Sequence, residues 1–276
     1  MTAVFWATVI AVALSFVRRE CALTPGRLLR ALEAGSVGVL GVAVTCAAAG
    51  LIVGVVTLTG LGLKFSSIII EYAGRSVFLT ALYSGLIVWL VGLAVPVTAS
   101  YIICAVIVAP ALTRLGVTEA AAHMFIFYYA VLSEVSPPTA LSPFAAAAIT
   151  GGNPYRTTLH SWKYTLPAFV VPFMFVLDPA GAGILLTGPW TGIVWTSLTA
   201  CVGIAALAGG VQGWLLERTS PLERLFLVTA GLLLVYPRPL FDCLGIALVA
   251  LTAGMQAGLL PRFGATAAPA RREADR

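Results

Sequence analysis

Long apolar stretches separated by short polar connections dominate the chain. A helix that crosses a bilayer needs roughly 20 apolar residues. Stretches close to that length lie at 38–58, 76–95, 97–113, 165–187, 190–210 and 240–260, with shorter ones at 2–17 and about 222–236. Barrel strands would be shorter and would alternate polar with apolar residues. The pattern therefore predicts an all-α polytopic membrane protein.

Residues 76–115 are predicted to form a helical hairpin. Its two apolar legs join at GLAVPVTAS, which carries no charge and only Gly92, Pro96, Thr98 and Ser100 as turn or hydroxyl residues. A connection in water is usually more polar than this. A turn within the membrane, shielded by protein, fits the pattern better.

Residues 119–150 are predicted to form one helix that is broken in the middle. Two adjacent prolines remove backbone hydrogen bonds, and the residue before each is driven from helical geometry. The four residues Ser136, Pro137, Pro138 and Thr139 should therefore unwind and free carbonyl oxygens. A plain proline kink is the simpler alternative. The matching break at 92–100 favours a binding site, because unwound half-helix ends bind ions in many secondary transporters.

The basic residues distinguish a crossing from a second hairpin at 119–150. With a crossing, and with the loop at 18–30 inside, 12 of the 16 basic residues lie inside, leaving Lys64, Arg75, Arg114 and Arg238 outside. A hairpin would leave only 5 of the 16 inside. Cytoplasmic loops are enriched in lysine and arginine, so the crossing is favoured.

Composition excludes several classes of function. The net charge of +5 comes from basic residues that are scattered at the ends of apolar stretches. Basic residues in these positions set the orientation of a protein in the membrane, so the charge does not indicate binding of nucleic acid. The five cysteines are isolated, so we interpret them as small core residues and not as metal ligands or disulfides. No HExxH, GxSxG or Walker pattern is present, which leaves hydrolytic or ATP-driven chemistry unsupported. No cofactor is predicted.

Two acidic residues stand within apolar sequence. Glu134 precedes the proline pair by about one turn, where it would contact or balance a bound ion. Asp178-Pro179 is interpreted either as a functional intramembrane carboxylate or as an interfacial helix end. A membrane enzyme that uses Glu134 or Asp178 is a weaker alternative, since no nucleophile accompanies them. Arg238 and Asp242, spaced i,i+4, are predicted to form an ion pair.

Four segments together resemble the large permease subunit of TRAP transporters, most closely the fused permeases of the TAXI type. They are TLTGLGLKFSS, GLAVPVTASYI, EVSPPTALSPFAAAAITGGNPYRT and LPAFVVPFMFVLDPA. That family is similar to elevator-type, ion-transporter-like carriers with two inverted repeats, each holding a re-entrant hairpin and a broken helix. The family tip reads closer to GxGxPTTAAY, whereas Ala94 and Val97 stand here in place of a glycine and a threonine.

The resemblance implies a sodium-coupled importer of organic acids that receives its substrate from a periplasmic binding protein in the bacterial inner membrane. It implies sodium and substrate binding at Gly92, Pro96, Thr98, Ser136, Pro137, Pro138 and Thr139, supported by Ser100 and Glu134. Only the C-terminal repeat has a counterpart here. The first repeat is therefore expected from a partner, and a fragment, a split subunit or a decayed remnant all remain open.

The resulting organisation has four parts. Residues 1–35 form a short span and an amphipathic connector that Gly35 ends, and residues 36–187 form the second transport repeat. Residues 188–261 add further transmembrane helices, and residues 262–276 form a disordered cytoplasmic tail. The alternative function is an inactive or scaffolding membrane subunit that does not transport by itself.

Overall fold

The computed structural model describes residues 2–17 and 23–257. The chain divides into two compact units, residues 1–51 and residues 52–276. In the described ranges the regular structure is helical, with twelve α-helices and two 3₁₀ segments. The prediction of an all-α polytopic membrane protein is confirmed. The predicted tail at 262–276 lies outside the described residues.

The first unit contains α1 (Thr2–Ser15) and most of α2 (Pro25–Leu58). The prediction that Gly35 ends an amphipathic connector is wrong, because α2 runs through Gly35 without interruption for 34 residues. A glycine inside a helix costs only about 1 kcal/mol relative to alanine. The helical hydrogen bonds of the apolar residues that follow stabilise the helix by more than this cost.

The second unit continues with α3 (Leu61–Tyr72), which starts after a left-handed Gly60. Next come α4 (Val77–Gly92) and α5 (Val97–Thr113), which form the hairpin. With 16 and 17 residues at about 1.5 Å each, the two legs are shorter than the roughly 30 Å of a bilayer core. Legs of this length fit a hairpin that enters the membrane and turns back.

The predicted break also lies where the two prolines stand. Helix α6 (Glu119–Ser133) ends before them, and α7 (Leu141–Thr150) begins after them. Thr118 caps α6 by accepting a hydrogen bond from Ala121 N, at 3.4 Å. Gly151, in the left-handed conformation, ends α7.

The next segment is divided into short helical pieces. Residues 154–165 form α8 (Pro154–Thr165), because Asn153 Oδ1 accepts from Arg156 N at 3.1 Å and Pro154 suits the first helical position. The apolar stretch at 165–187 contains a 3₁₀ turn (Leu166–Phe169), α9 (Val171–Val176) and a second 3₁₀ segment (Pro179–Leu185), so Asp178-Pro179 lies at a helix end, as one of its two interpretations predicts. The chain bends there by 119°.

The last three helices are α10 (Trp190–Gln212), α11 (Pro221–Leu234) and α12 (Pro239–Gln256). Among the described residues, α2, α10 and α12 are long and apolar enough to cross a membrane, and the bent pair Pro154–Val176 with Pro179–Leu185 would make a fourth. Helix α11 has 14 residues and falls below that length.

Helix α10, 23 residues long and hence about 34 Å, separates Lys163 and Arg224 from Arg238. At its C-terminal end, Gln212 Nε2 donates to the Lys163 carbonyl at 3.3 Å, and Arg224 Nε donates to the Gly210 carbonyl at 2.9 Å. Arg238 lies at the other end, paired with Asp178. Both arrangements of residues 119–150 contain this separation, so the favoured crossing and the cytoplasmic side stay predictions.

The main core packs the hairpin against α6 and α9. Phe125, Ile126 and Leu112 are completely buried, and Phe125 contacts Tyr129 and Phe173 ring to ring. A Cβ added at Gly85 of α4 would meet the Tyr129 ring at 2.9 Å. This close approach sets the hairpin tip directly beside the break in α6–α7.

Candidate functional site

The hairpin tip consists of the end of α4, four linking residues and the start of α5. Helix α4 ends at Gly92, and Pro96 precedes α5 with an extended backbone, φ −57° and ψ 152°. No side chain caps α5, so the N–H groups of its first turn keep no partner within the helix. The carbonyl of Gly92 accepts no backbone hydrogen bond in the described chain.

The break between α6 and α7 spans residues 134–140. Ser136 N donates to the Ser133 carbonyl and Ala140 N donates to the Ser136 carbonyl, so the chain turns tightly through a cis Pro137–Pro138 bond. Ala140 adopts a positive φ of 41°. Because Pro143 has no N–H, the Thr139 carbonyl lacks its helical donor. Within the described residues, five carbonyls of the break accept no backbone hydrogen bond: those of Glu134, Val135, Pro137, Pro138 and Thr139.

Two side-chain hydrogen bonds tie the tip to the break. Trp89 Nε1 donates to Ser136 Oγ at 2.9 Å, and Ser136 Oγ in turn donates to the Leu132 carbonyl at 2.8 Å. Thr139 Oγ1 donates to the Leu93 carbonyl at 3.0 Å. Each bond joins residues 46 or 47 positions apart in sequence, so tip and break hold one another in place.

Gly92 also touches the break directly. A Cβ added there would collide with Ser133 Oγ, would lie 2.8 Å from Ser133 Cβ and would lie 3.3 Å from Ser100 Oγ. Only glycine allows α4 and α6 to approach this closely. Glycine at this position therefore serves packing, in addition to any role of its carbonyl.

A cavity of about 180 Å³ opens between tip and break. It is lined by Gly92, Leu93, Ala94, Val95, Pro96, Glu134, Thr139 and Leu141. Helices α4 and α6 end at this cavity, while α5 and α7 begin at it. A helix C-terminus carries a partial negative charge and an N-terminus a partial positive one. The cavity thus offers carbonyls and a carboxylate to a cation, and free N–H groups to an anion.

The structure brings together some of the residues singled out from sequence and separates others. Four of them line the cavity: Gly92, Pro96, Glu134 and Thr139. Ser136 and Ser100 are completely buried, and Ser136 supports the break through its bonds to Trp89 and Leu132. The side chain of Thr98 is exposed, Pro137 is half-buried and Pro138 is exposed, and none of the three lines this cavity.

Sequence reasoning missed three contributors. Trp89 lies partly buried in the last turn of α4 and donates a hydrogen bond to Ser136. Ser133 packs on Gly92, and Leu93 offers its carbonyl to Thr139. Trp89 precedes Gly92 by three residues, which places both on one side of α4. That spacing could have identified Trp89 from the sequence, whereas nothing in the sequence identifies Leu93 as a hydrogen-bond acceptor.

The donors fit a hard cation better than a transition metal. In the described ranges, no three His, Cys, Asp or Glu residues are grouped as a metal site. The available ligands at the cavity are backbone carbonyls, the Thr139 hydroxyl and the Glu134 carboxylate. Oxygen ligands of this kind suit alkali and alkaline-earth ions, whereas thiolate and imidazole select softer metals.

Comparison with known proteins places the chain in a family. Searches of curated proteins and of solved structures gave no match. The family described as "Tripartite ATP-independent periplasmic transporter, DctM component" matches residues 1–180, which include the hairpin, the broken helix and α9. The chain therefore belongs to the DctM-component family of tripartite ATP-independent periplasmic transporters, membrane permeases that work with a periplasmic binding protein on a small-molecule substrate.

Proposed function

We propose that the chain is the permease component of a sodium-coupled secondary transporter that imports organic acids across the bacterial inner membrane. Residues 76–115 and 119–150 act as the re-entrant hairpin and broken helix of one repeat, as in fused TAXI-type permeases. The observation that carries this proposal is the cavity at which both α4 and α6 end.

The proposed sodium ligands are the oxygens around this cavity. The Gly92 carbonyl and the carbonyls of the Pro137–Thr139 turn lack backbone donors, and the Glu134 carboxylate stands at the C-terminus of α6. In a membrane, carbonyls without donors are costly unless a ligand or protein satisfies them. A sodium ion supplies that interaction, and its charge offsets that of the Glu134 carboxylate.

The N-termini at the same cavity support an acidic substrate. Pro96 and Leu141, at the starts of α5 and α7, both line it, and neither helix has a side-chain cap. Free N–H groups at a helix start attract carboxylates. An ion bound next to them reinforces that attraction, so sodium binding would raise the affinity for the acid. Such reciprocity is what couples the two fluxes.

A complete site requires a second repeat. The described residues supply one hairpin and one broken helix, which provide one side of the cavity. In two-repeat carriers the other side comes from the inverted copy. We therefore propose that a permease half carrying the first repeat assembles with this chain, and that a periplasmic binding protein delivers the substrate to the assembly.

The test is uptake of radiolabelled organic acids into proteoliposomes that hold this chain, its permease partner and the binding protein. An inward sodium gradient should drive uptake, and Glu134→Gln should raise the sodium concentration for half-maximal uptake several-fold. Glu119→Gln is the matched control, since Glu119 is exposed at the start of α6 and lies off the cavity.

Two results would contradict the proposal. Uptake that is independent of sodium would remove sodium coupling, and an unchanged sodium dependence in Glu134→Gln would remove the assigned site. Failure of the assembly to take up any acid, with a binding protein that docks normally, would instead favour an inactive or scaffolding subunit.

A further inference from the structure

A second cavity lies far along the chain from the hairpin tip. It has a volume of about 360 Å³ and lies between the starts of α10 and α12 and the segment 179–189. Its walls are mostly proline, glycine and other apolar residues, including Pro179, Gly192 and Pro239. A volume of this order suits a small ligand, since typical pockets hold about 300–1,000 Å³.

One carboxylate, that of Asp242, belongs to the wall of this cavity. Asp242 is only 2% exposed, and its Oδ2 accepts a hydrogen bond from Trp195 Nε1 at 3.0 Å. Its other oxygen, Oδ1, is buried and has no hydrogen-bond partner among the described residues. A buried carboxylate oxygen without a donor is costly, and such groups mark binding sites in membrane proteins.

The nearest basic residue in sequence does not neutralise Asp242. Arg238 Nε donates to Asp178 Oδ2 at 3.2 Å, and its guanidinium lies 4.9 Å from the centre of the Tyr236 ring. The expected i,i+4 pair between Arg238 and Asp242 is therefore wrong. Asp178 and Arg238 cancel in charge, so Asp242 leaves the cavity with one uncompensated negative charge.

We propose that this cavity binds a primary ammonium group attached to an apolar body. The charge of the ammonium would neutralise the carboxylate, and its N–H donors would satisfy Asp242 Oδ1 once the carboxylate turns that buried oxygen toward the cavity. The Trp195 indole stands beside the carboxylate, where its ring favours a cation. The hydroxyls of Thr187 and Thr196 already donate to backbone carbonyls, so they act as acceptors for further N–H groups.

A phosphatidylethanolamine headgroup and a free organic amine share this chemistry. The proposal does not rest on the proposed transport function, because its argument uses Asp242 and Trp195, which both lie beyond the family-matched residues 1–180. Trp190, which follows the cavity residue Pro189, is 80% exposed. Tryptophans are enriched at the level of the lipid headgroups, so this position suits a cavity that is open to a headgroup.

The experiment measures the thermal unfolding midpoint of the purified full-length chain in detergent. Four probes are added separately: short-chain phosphatidylethanolamine, short-chain phosphatidylcholine, hexylamine and hexyltrimethylammonium. The primary ammonium probes should raise the midpoint by about 2–4 °C, and the quaternary ones, which lack N–H donors, should not. A response to the lipid alone identifies a headgroup, and a response to hexylamine identifies a soluble amine as a sufficient ligand.

Two variants test the site itself. Asp242→Asn keeps an oxygen that accepts from Trp195 but removes the charge, and Gly192→Leu keeps Asp242 but fills the cavity. A Cβ at Gly192 meets nothing closer than Pro189 Cγ at 3.6 Å, so the larger side chain is sterically tolerated at its base. Both variants should lose the midpoint rise, and Glu71→Gln, at an exposed position off this cavity, should keep it. Equal responses to primary and quaternary probes, no response in the wild type, or an undiminished response in both variants would overturn the proposal.

Discussion

The indole of Trp89 donates from Nε1 to Ser136 Oγ at 2.9 Å, and this bond links the last turn of the hairpin's first leg to the proline break. Ser136 passes the interaction on by donating to the Leu132 carbonyl. Ser136 therefore acts as a support for the break and does not line the cavity itself. The geometry of the free carbonyls at residues 137–139 depends on this support.

Replacing Trp89 with phenylalanine should loosen the break. The variant keeps most of the ring volume but removes the donor, which costs about 1 kcal/mol for a buried hydrogen bond. The thermal unfolding midpoint in detergent should fall by about 2–4 °C. The proposed sodium site also predicts that added sodium raises the wild-type midpoint, and this rise should be smaller in the variant. Trp190→Phe is the control, because Trp190 is strongly exposed. An equal fall of the unfolding midpoint in both variants would show that the hydrogen bond from Trp89 to Ser136 does not stabilise the break.

Thr139 should matter more than Thr98, although sequence reasoning gave them the same role. Thr139 Oγ1 donates to the Leu93 carbonyl at 3.0 Å and lines the cavity, whereas the Thr98 side chain is exposed. Thr139→Val removes the hydroxyl at constant shape and should reduce sodium-driven uptake at least several-fold, while Thr139→Ser should retain most of it. Thr98→Val should transport close to the wild-type rate. A stronger loss in Thr98→Val than in Thr139→Val would restore the sequence-based assignment.

Gly92→Ala should destabilise the hairpin. The new methyl group would collide with Ser133 Oγ, and overpacking of this kind costs about 1–3 kcal/mol. Gly54→Ala in α2 is the control, since a Cβ there meets nothing within 4 Å and the helix should become more stable by up to about 1 kcal/mol. Thermal unfolding of both variants checks the contrast.

A second change sharpens this test. Ser133→Ala removes the oxygen that the new methyl group would strike, so the double variant Gly92→Ala, Ser133→Ala should recover part of the lost stability. An additive effect of the two changes would show that the two residues do not interact.

The hairpin and the broken helix were predictable because their causes are local. Pro137 and Pro138 cannot continue a helix, and the uncharged junction at 92–100 leaves few alternatives to a turn. A helix end at Asp178-Pro179 was one of two interpretations of the sequence, but the sharp bend there and helix α8 were not predicted. An apolar run does not reveal where proline and capping residues divide it, even though Asn153-Pro154 and Asp178-Pro179 each carry a cap signal.

The cavity itself depended on contacts distant in sequence. The sequence marks three of the cavity residues as polar or helix-breaking: Glu134, Thr139 and Pro96. It does not show that Thr98 lies outside the cavity, because that depends on the exposed orientation of its side chain on α5. The bond from Thr139 to the Leu93 carbonyl involves an apolar residue whose backbone does the work. Side-chain patterns carry no information about such acceptors.

Asp178 should stabilise the bend mainly as a cap and only slightly as an ion pair. Its Oδ1 accepts from Ala180 N at 3.0 Å, and its Oδ2 accepts from Arg238, whose side chain is 59% exposed. An exposed pair contributes about 0–1 kcal/mol, whereas losing a cap costs about 0.5–2 kcal/mol. Asp178→Ala should therefore lower the unfolding midpoint more than Arg238→Gln, and Asp178→Asn, which keeps the capping oxygen, should resemble Arg238→Gln. Raising the salt concentration should reduce the small fall of the midpoint in Arg238→Gln but not the larger fall in Asp178→Ala, because salt screens the ion pair and not the capping hydrogen bond. An Arg238→Gln loss as large as that of Asp178→Ala would mean that the ion pair, and not the cap, holds the 119° bend.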